Sequence, residues 1–507
     1  MATYLGFDVG TQSVKALLLD DQRGVLGTAT HPLATIAGLP PGHSEQHPGD
    51  WLDAIAHTAR QLAAAHGAEY RAVAAIGVSG QQHGFVPLDE DFAVLRPAKL
   101  WNDTSSAAQC AAIIAEVGGA QRLFDLTGNA LPPGFTAGKI RWLRDCEPER
   151  FARLRHVLLP HDYVNWWLTG EATCEAGDAS GTGMLDVRGR RFAQPVLDAV
   201  APGLEAMLPR MVAPGAPAGT LCRRAADALG LPEGILVGHG GGDNMMAAVG
   251  AGAVVPGVAV LSLGTSGTVF ACAEQPICDP RGEIAAFCDS TGRWLPLGCT
   301  MNATVATELT RNLFAQSIAG FEHEAASAPP GCDGVLCLPF FTGERSPDLP
   351  DGTGAFLGLT PANARPSHLT RAAMEGATFA LVRLLDRLGE LGVPLRELRI
   401  TGGGSRSALW CRIVAAAAGR AVHTGVHPDA AALGAAVHAC WTQQRTRRAD
   451  VTIETVVEEL GVAHPGAAVM PDPRWQAVYA PLRATFDRAV AALTPCMPAL
   501  RRGGRER

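Results

Sequence analysis

A carboxylate lies at the midpoint of the chain in a setting that suits ligand chemistry. Apolar residues at 235–237 predict a buried strand, a run of glycines breaks that strand, and residues 244–252 predict a helix. Glycines at a strand-to-helix turn let the backbone approach a ligand closely, and Asp243 stands at the helix start. Because aspartate also commonly caps helices, this stretch by itself leaves open a structural cap and a functional carboxylate.

The beginning of the chain predicts a β-hairpin whose turn could bind phosphate. An apolar run at 3–7 and apolar residues that alternate with others at 14, 16 and 18 predict the two strands. The turn and its flanks carry a carboxylate, hydroxyls, an amide and an ammonium: Asp8, Thr11, Gln12, Ser13 and Lys15. Backbone N–H groups, hydroxyls and an ammonium suit a phosphate, and Asp8 could hold Mg²⁺ through water. The alternative is an ordinary polar hairpin tip.

A second hairpin of the same kind follows the midpoint. The run at 258–263 predicts a strand, Gly264 and Thr265 begin a Gly-Thr-Ser-Gly-Thr turn, and residues 269–272 predict the returning strand. Both hairpins have the order apolar strand, Gly-Thr turn, apolar strand. This short repeat predicts a duplicated α/β fold in which the two hairpin tips face one nucleotide phosphate chain across a cleft.

A further glycine cluster predicts a nucleotide contact. Residues 398–401 predict a strand that enters three successive glycines, and a helix is predicted to follow up to 418. Gly403, Gly404 and Ser407 therefore lie where the backbone can approach an adenosine closely.

Two polar loops have residues that suit a sugar. The first follows a predicted strand at 73–78 and contains Gln82 and His83; ligands of α/β proteins commonly bind in such loops. The second contains Trp101, whose ring could cover a C–H face, and Asp103, whose carboxylate could accept hydrogen bonds from hydroxyls. The alternatives are a structural histidine, a core tryptophan and an aspartate that caps a helix.

Length and composition restrict the class of protein. A chain of 507 residues is too long for one ordinary core, so two large domains are expected. The net charge of −7 argues against a nucleic-acid partner, and no apolar run is long enough to span a membrane. Residues 1–10 lack a signal-peptide pattern, and the 13 cysteines form no CxxC pair, so we expect a cytoplasmic protein. Neither GxxxxGK[ST] nor a complete dinucleotide fingerprint is present, so hairpin tips must hold any phosphate.

Longer stretches resemble the signatures of the FGGY family of carbohydrate kinases. Residues 134–145 (GFTAGKIRWLRD) resemble the first signature. The sequence departs from this signature at Cys146, where a polar or acidic residue is usual. Residues 354–359 (GAFLGL) and 368–375 (HLTRAAME) resemble the second. The loops QQHG, WND, GGDN and SLGTSG are similar to those of the xylulose kinase subgroup. The resemblance extends over about 3–493.

The resemblance implies an actin/hexokinase-like (ribonuclease H-like) fold of two duplicated α/β domains with a central cleft. Residues 1–252 would form the N-terminal domain, which holds the sugar and the catalytic aspartate. Residues 253–493 would form the C-terminal domain on the nucleotide side, and residues 494–507 are expected to be a disordered tail. The domains are expected to close on the sugar about hinges near 250–257.

The resemblance also implies a role for each candidate residue. Asp243 would be the catalytic base, and Asp8 would position Mg²⁺. The residues implied to contact ATP are Thr11, Gln12, Ser13, Lys15, Gly264, Thr265, Gly403, Gly404 and Ser407. The residues implied to line the sugar are Gln82, His83, Trp101, Asp103, Asp243 and Asn244. Two departures fall among these loops: Gln82 stands where many relatives have Met, and Ser105 where many have Arg.

The implied reaction is the ATP- and Mg²⁺-dependent phosphorylation of D-xylulose to D-xylulose 5-phosphate. A helix start favours an ionised carboxylate, so Asp243 is expected to be a weak base that acts mainly by positioning. Three alternatives stay open: another sugar or polyol (ribulose, gluconate or a sugar alcohol), an actin-like nucleotide switch, and an inactive sugar sensor. The implied partners are the sugar and ATP, and a homodimer is left open.

Overall fold

Apolar runs at the start of the chain form the predicted hairpin and the middle of a sheet. The computed structural model describes residues 2–462, 464 and 466–503. The strands Thr3–Val9 and Ser13–Asp20 pair antiparallel, and Leu5 and Phe7 are completely buried between the sheet and its helices. Across this first sheet the order is Pro217–Thr220, Leu236–Gly238, Val73–Gly80, Thr3–Val9, Ser13–Asp20 and Gly24–Pro32, and Gly241–Gly242 also pairs with Val73–Gly80.

A second sheet is built around the second predicted hairpin. The strands Gly257–Leu263 and Gly267–Ala271 pair antiparallel. Across this sheet the order is Ile284–Ala285, Leu297–Thr300, Gly267–Ala271, Gly257–Leu263, Leu395–Thr401, Val422–His423 and Ala468–Val469.

The two sheets repeat one pairing pattern. In each, the first hairpin strand pairs antiparallel with the second hairpin strand and parallel with a strand much later in the chain. That later strand pairs parallel with the next, which in turn pairs antiparallel with the last. Parallel pairing needs long crossover connections, which the helices provide. The prediction of a duplicated α/β fold is therefore confirmed.

Helices cover the sheets and fill the connections. In the first half they are Pro48–Ala65, Gly67–Arg71, Ala107–Glu116, Ala120–Thr127, Thr136–Cys146, Pro148–Arg153, Pro160–Thr169, Ala176–Ser180, Gln194–Val200, Arg223–Leu229 and Asp243–Gly250. In the second half they are Thr304–Leu313, Ile318–Ser327, Pro366–Glu390, Ala408–Ala418, Ala430–Arg445, Ile453–Glu459, Pro473–Leu493 and Met497–Gly503. Short paired strands lie outside the two sheets: Glu45–Gln46, Ala98–Lys99, Val86–Leu88, His156–Leu158, Thr173–Cys174, Arg210–Met211, Leu185–Asp186, Arg191–Phe192, Leu336–Leu338 and Ala355–Leu357.

One helix of the second half packs on the first sheet. The helix Ala430–Arg445 contacts the strands Thr3–Val9 and Val73–Gly80 and crosses the helix Asp243–Gly250. Glycine makes this contact close: a Cβ on Gly77 would lie 2.0 Å from the carbonyl oxygen of Ala435. The helix therefore ties the two halves of the chain together beside the predicted catalytic helix.

The end of the chain differs from the expected disordered tail. Residues Thr494–Cys496 form a 3₁₀ turn and Met497–Gly503 form a helix. Met497 is buried in the core of the second half, and the Arg501 guanidinium donates a 2.9 Å hydrogen bond to the carbonyl oxygen of Gly352. These contacts order the segment up to 503, and residues 504–507 lie outside the described part. Among the described residues, no helix has both the length and the apolar character needed to cross a membrane.

Candidate active site

One cavity brings together five of the six residues that the sequence assigns to the sugar. Its volume is about 530 Å³, within the range of small-molecule sites. The first half of the chain contributes Gln82, His83, Trp101, Asp243 and Asn244. The second half contributes the hairpin residues Ser262, Ser266 and Thr268, and also Arg345. Polar side chains from both halves therefore converge on one concave space.

A glycine-dependent turn sets the position of Asp243. Between the strand Leu236–Gly238 and the helix Asp243–Gly250, Gly240 has a φ of 65°. A Cβ on Gly240 would lie 1.9 Å from the carbonyl oxygen of Val78, so only glycine fits this left-handed, closely packed position. The turn delivers Asp243 to the first position of its helix, at the wall of the cavity.

The surroundings of Asp243 make it a stronger base than the sequence predicts. Burial and the charges of Asp8 and Asp178 raise the pKa of Asp243 to about 7. Hydrogen bonds to its Oδ1 from the Asn244 N–H (2.8 Å) and Nδ2 (2.9 Å) oppose this rise without cancelling it. The expectation of a weak base is wrong, because desolvation and like charges outweigh the helix start. A pKa near 7 suits a general base at physiological pH.

The predicted metal and phosphate residues form a charged cluster next to Asp243. The Ser79 hydroxyl donates a 2.8 Å hydrogen bond to Asp8 Oδ1, and burial raises the pKa of Asp8 against the opposing effects of Ser79 and Lys15. Lys15 Nζ lies 2.8 Å from Asp429 Oδ1, so this ammonium already has a carboxylate partner. Carboxylate oxygens are the protein ligands that Mg²⁺ prefers, so the donor set fits a hydrated Mg²⁺.

His83 is held as a neutral hydrogen-bond acceptor toward the cavity. Its Nδ1 lies 2.7 Å from the Gly181 carbonyl oxygen, which can only accept, so Nδ1 carries the proton. Burial, together with the positive charges of Arg345 and Lys139, lowers the pKa of His83 well below its ordinary value. The residue has a φ of 63°, a conformation that is uncommon for residues other than glycine. Nε2 is therefore left as an acceptor for a substrate hydroxyl.

Asn244 holds both Gln82 and Asp243 in place. Asn244 Nδ2 donates to Gln82 Oε1 at 3.0 Å as well as to Asp243 Oδ1. Of the two departures from the family pattern, only Gln82 lines the cavity. The Ser105 hydroxyl is bonded instead to Lys99 Nζ (2.8 Å) and Asp103 Oδ1 (2.5 Å).

The structure does not bring Asp103 to the sugar cavity, in contrast to the expectation. Its side chain is fully buried, and its carboxylate accepts hydrogen bonds from the Ser44 N–H, Ser105 and Lys99 Nζ. Burial alone would raise the pKa of Asp103, but these partners hold it below its usual value. Asp103 therefore stabilises the loop beneath Trp101, and the carboxylate is not free to accept sugar hydroxyls.

Lys99, which is buried, also lies within a cluster of side chains whose spacing would suit a metal ion. His43, Glu45 and Asp103 place ligand atoms within 4.8 Å of one another. Lys99 Nζ lies 3.3 Å from His43 Nδ1 and 3.1 Å from both carboxylates. Its ammonium takes the place that a cation would need, so this cluster is a structural ion pair.

A series of hydrogen bonds connects the cavity that holds Asp243 with the first hairpin turn. The Trp101 indole N–H donates to Thr11 Oγ1 at 3.0 Å, and this hydroxyl donates to Gln81 Oε1 at 2.9 Å. Gln81 Nε2 donates to Gln46 Oε1, and Gln46 Nε2 returns to the carbonyl oxygen of Thr11. The aromatic wall of the cavity and the predicted phosphate turn are thus one bonded unit.

Replacing Trp101 with Phe is expected to weaken the binding of ATP more than the binding of the sugar. Phe keeps an aromatic face in the cavity but cannot donate to Thr11, and such a hydrogen bond contributes about 0.5–1.5 kcal/mol. We expect the KM for ATP to rise about 2- to 10-fold in steady-state kinetics. A Thr11→Val variant loses the same bond together with the proposed contact of Thr11 with ATP, so its KM for ATP should rise at least as much, and adding Trp101→Phe to it should raise that KM no further. Additive effects would mean that the bond does not couple the two sites.

The nucleotide residues of the second half are only partly accessible. Thr265 is exposed and lines a second cavity of about 600 Å³ with the helix Thr304–Leu313, and Gly264 lies beside it. Gly403 is exposed with open space around its Cα, as close backbone approach requires. Gly404 is instead buried against Leu263, and the Ser407 hydroxyl caps a helix by accepting the Trp410 N–H at 3.1 Å. In the first hairpin, Gln12 is exposed and Ser13 is half-buried.

Comparisons with known proteins agree with this arrangement. Residues 3–250 match the N-terminal domain of the FGGY family of carbohydrate kinases, and residues 259–443 match its C-terminal domain. This chain belongs to the FGGY family of carbohydrate kinases. The resemblance seen in the sequence is confirmed, and the fold is the actin/hexokinase-like fold of that family.

Similar proteins include xylulose kinases from several bacteria. The chain is 40% identical over 448 residues to the xylulose kinase of Haemophilus influenzae, which covers 86% of this chain and 90% of that protein. It is 38% identical over 512 residues to that of Streptomyces rubiginosus, covering 98% of this chain and 97% of that one. The crystal structure of xylulose kinase from Rhodospirillum rubrum matches with a TM-score of 0.86 at 27% identity, covering 98% of this chain and 99% of that one.

Several residues of the site escaped the sequence patterns. Asp429 pairs with Lys15, Asp178 raises the pKa of Asp243, and Arg345 lines the cavity. The sequence gives only a weak indication for Gln81, which adjoins the predicted sugar loop at Gln82 and His83. It gives only a weak indication for Asp429, which precedes an Ala-rich run. Asp178 and Arg345 lie in stretches without a diagnostic spacing.

Proposed function

We propose that this carbohydrate kinase transfers the γ-phosphoryl group of ATP to the terminal hydroxyl of D-xylulose, forming D-xylulose 5-phosphate and ADP. The observation that carries the proposal is the placement of Asp243, with a pKa of about 7, in a cavity with Gln82, His83 and Trp101. The names of the similar proteins support xylulose as the acceptor.

In the proposed reaction, Asp243 orients the hydroxyl and takes its proton. The bond between the γ-phosphorus and the β,γ-bridging oxygen breaks, a bond from the sugar oxygen to that phosphorus forms, and the hydroxyl proton passes to Asp243. The transition state of phosphoryl transfer is loose, so the proton can move late and positioning supplies much of the rate. Asn244 fixes the carboxylate, and His83 Nε2 accepts from a second sugar hydroxyl.

The two hairpin turns would hold the phosphates from opposite sides. Thr11, Gln12, Ser13 and Lys15 would contact them from the first half, and Gly264 and Thr265 from the second. Mg²⁺, when bound near Asp8, supplies charge neutralisation to the phosphates. Lys15 would exchange or share its carboxylate partner Asp429 on nucleotide binding. Gly403 would face the adenosine.

The domain division, assembly and location are part of the proposal. We assign residues 1–252 to a sugar-side domain and residues 253–493 to a nucleotide-side domain, with the exception that the helix Ala430–Arg445 packs on the sheet of the first domain. We keep the homodimer as a candidate assembly. All 13 cysteines are described and none is in a disulfide, which supports a reducing compartment such as the cytoplasm.

The test is ADP release from the purified protein with Mg-ATP and a panel of acceptors. Strong stimulation by D-xylulose, weaker stimulation by ribulose and none by glycerol or gluconate would support the proposal, and ³¹P NMR of the product would locate the phosphate. A clear preference for a different acceptor would overturn the choice of xylulose and direct attention to Gln82. An ATPase rate unaffected by every acceptor would overturn the kinase reaction itself.

A further inference from the structure

Arg345 reaches the sugar cavity from the second half of the chain. It lines the cavity together with His83, in a segment that also contributes Ser346. A Cβ added to Gly134 would lie 2.9 Å from Arg345 Nη2 and 2.5 Å from the carbonyl oxygen of Trp101. The guanidinium therefore touches the wall that the first half builds around the sugar, and the missing side chain at Gly134 makes room for it.

The backbone that carries Arg345 is firmly held. The buried Glu344 carboxylate accepts the N–H groups of Met301 (2.6 Å) and Arg345 (2.8 Å). Asn302 Nδ2 donates to Glu344 and to the carbonyl oxygen of Gly343. Buried, bonded neighbours keep a functional side chain in place, so the position of Arg345 is preorganised.

The guanidinium of Arg345 has no protein partner in the described part of the chain. None of the hydrogen bonds or ion pairs there involves its side-chain nitrogens, although the group is half-buried. A partly desolvated cation without a partner is costly, which is a reason to expect a ligand acceptor. By contrast, Arg281, which also lines this cavity, is 62% exposed, and its guanidinium lies 3.6 Å from the carboxylate of Glu390.

The remaining polar groups of the cavity indicate what Arg345 would bind. Asp243 and neutral His83 Nε2 both accept hydrogen bonds, so they suit sugar hydroxyls. A ketose also carries a carbonyl oxygen that can only accept, and a guanidinium can only donate. Resting on the proposed function, we infer that Arg345 is a substrate-binding and specificity-determining residue that donates to the carbonyl oxygen of the open-chain ketose.

This role would separate a ketose from the corresponding sugar alcohol. The alcohol replaces the carbonyl by a hydroxyl that both donates and accepts, so it depends less on a purely donating partner. The proposed role of Arg345 would also make the sugar site incomplete without the second half of the chain.

The experiment measures calorimetric Kd values for D-xylulose and xylitol, and the KM for ATP, in the wild type and in Arg345→Met, Arg345→Lys and Arg281→Met. We expect Arg345→Met to raise the Kd for D-xylulose about 10- to 100-fold, because the variant loses a hydrogen bond from a charged group. Xylitol binding should change less than about 3-fold, and the KM for ATP less than about 2-fold. Arg345→Lys should recover part of the loss, and Arg281→Met should match the wild type.

Several results would overturn the inference. Unchanged D-xylulose binding in Arg345→Met would remove Arg345 from the sugar site, and equal losses for D-xylulose and xylitol would refute the carbonyl contact. A rise in the KM for ATP alone would move the residue to the phosphate side. If thermal unfolding shows that Arg345→Met is misfolded, the test rests on Arg345→Lys. An unchanged ratio of the Kd values for D-xylulose and xylitol in Arg345→Lys would then refute the role. A wild type that neither binds nor phosphorylates D-xylulose would instead refute the proposed function.

Discussion

Asp243→Asn is expected to lower kcat with D-xylulose by about 10²- to 10⁴-fold, the usual contribution of a positioned general base. Asn keeps the size and the hydrogen bonds of the side chain but cannot accept the hydroxyl proton. The Kd for ATP, measured by calorimetry, should change little, because Asp243 lies on the sugar side of the hairpin turns. A variant with normal turnover would reduce Asp243 to a helix cap.

The pH profile provides a control for this interpretation. Because the unprotonated carboxylate is the base, kcat/KM of the wild type should fall about tenfold per pH unit below the Asp243 pKa of about 7 and level off above it. Asp8 remains in Asp243→Asn, so that variant separates the two carboxylates. If the residual activity of Asp243→Asn keeps the same acidic limb, the limb belongs to another group.

Gly434→Ala is expected to destabilise the protein strongly, by about 3 kcal/mol or more, at the upper end of overpacking effects. Gly434 lies where the helix Ala430–Arg445 crosses the helix Asp243–Gly250. A Cβ on it would be 1.8 Å from the carbonyl oxygen of Met246 and 2.8 Å from the nitrogen of Gly250. These atoms belong to backbone, so the helices must separate, and the separation shifts Asp243.

The measurement is the urea midpoint together with kcat. Gly49→Ala is the matched control, because Gly49 lies in the helix Pro48–Ala65 with no atom near the added methyl group. That control should be neutral or slightly stabilising, since alanine favours helices. A Gly434→Ala protein with an unchanged midpoint would show that the crossing can relax without cost.

These two predictions concern one region, because the helix that carries Asp243 is packed against a helix from the other end of the chain. Gly6 and Gly77 bring that same helix close to the first sheet, with Cβ positions 2.0 Å from its carbonyl oxygens. The position of Asp243 therefore depends on backbone contacts that only glycine allows. Stability and activity should fall together when those contacts are lost.

The sequence by itself determined the local architecture and the chemical class. Apolar runs and Gly-Thr turns predicted both hairpins, and their repetition predicted the duplicated α/β fold that the matched strand pairing confirms. The strand-to-helix turn at Asp243 was visible because glycines and a carboxylate adjoin in the chain. Such features were predictable because each is encoded by residues close together in the chain, through periodicity, turn chemistry or a signature.

Only the tertiary structure decided how the side chains are used. The sequence predicted that Asp103 binds a sugar, but its carboxylate forms an ion pair with the ammonium of Lys99. The raised pKa of Asp243 comes from burial and from Asp8 and Asp178, which adjoin it only in the folded chain. Arg345 comes from the second half of the chain to line the same cavity as Asp243, and no sequence pattern indicates this. Desolvation and charge act through space, so patterns along the chain cannot reveal them.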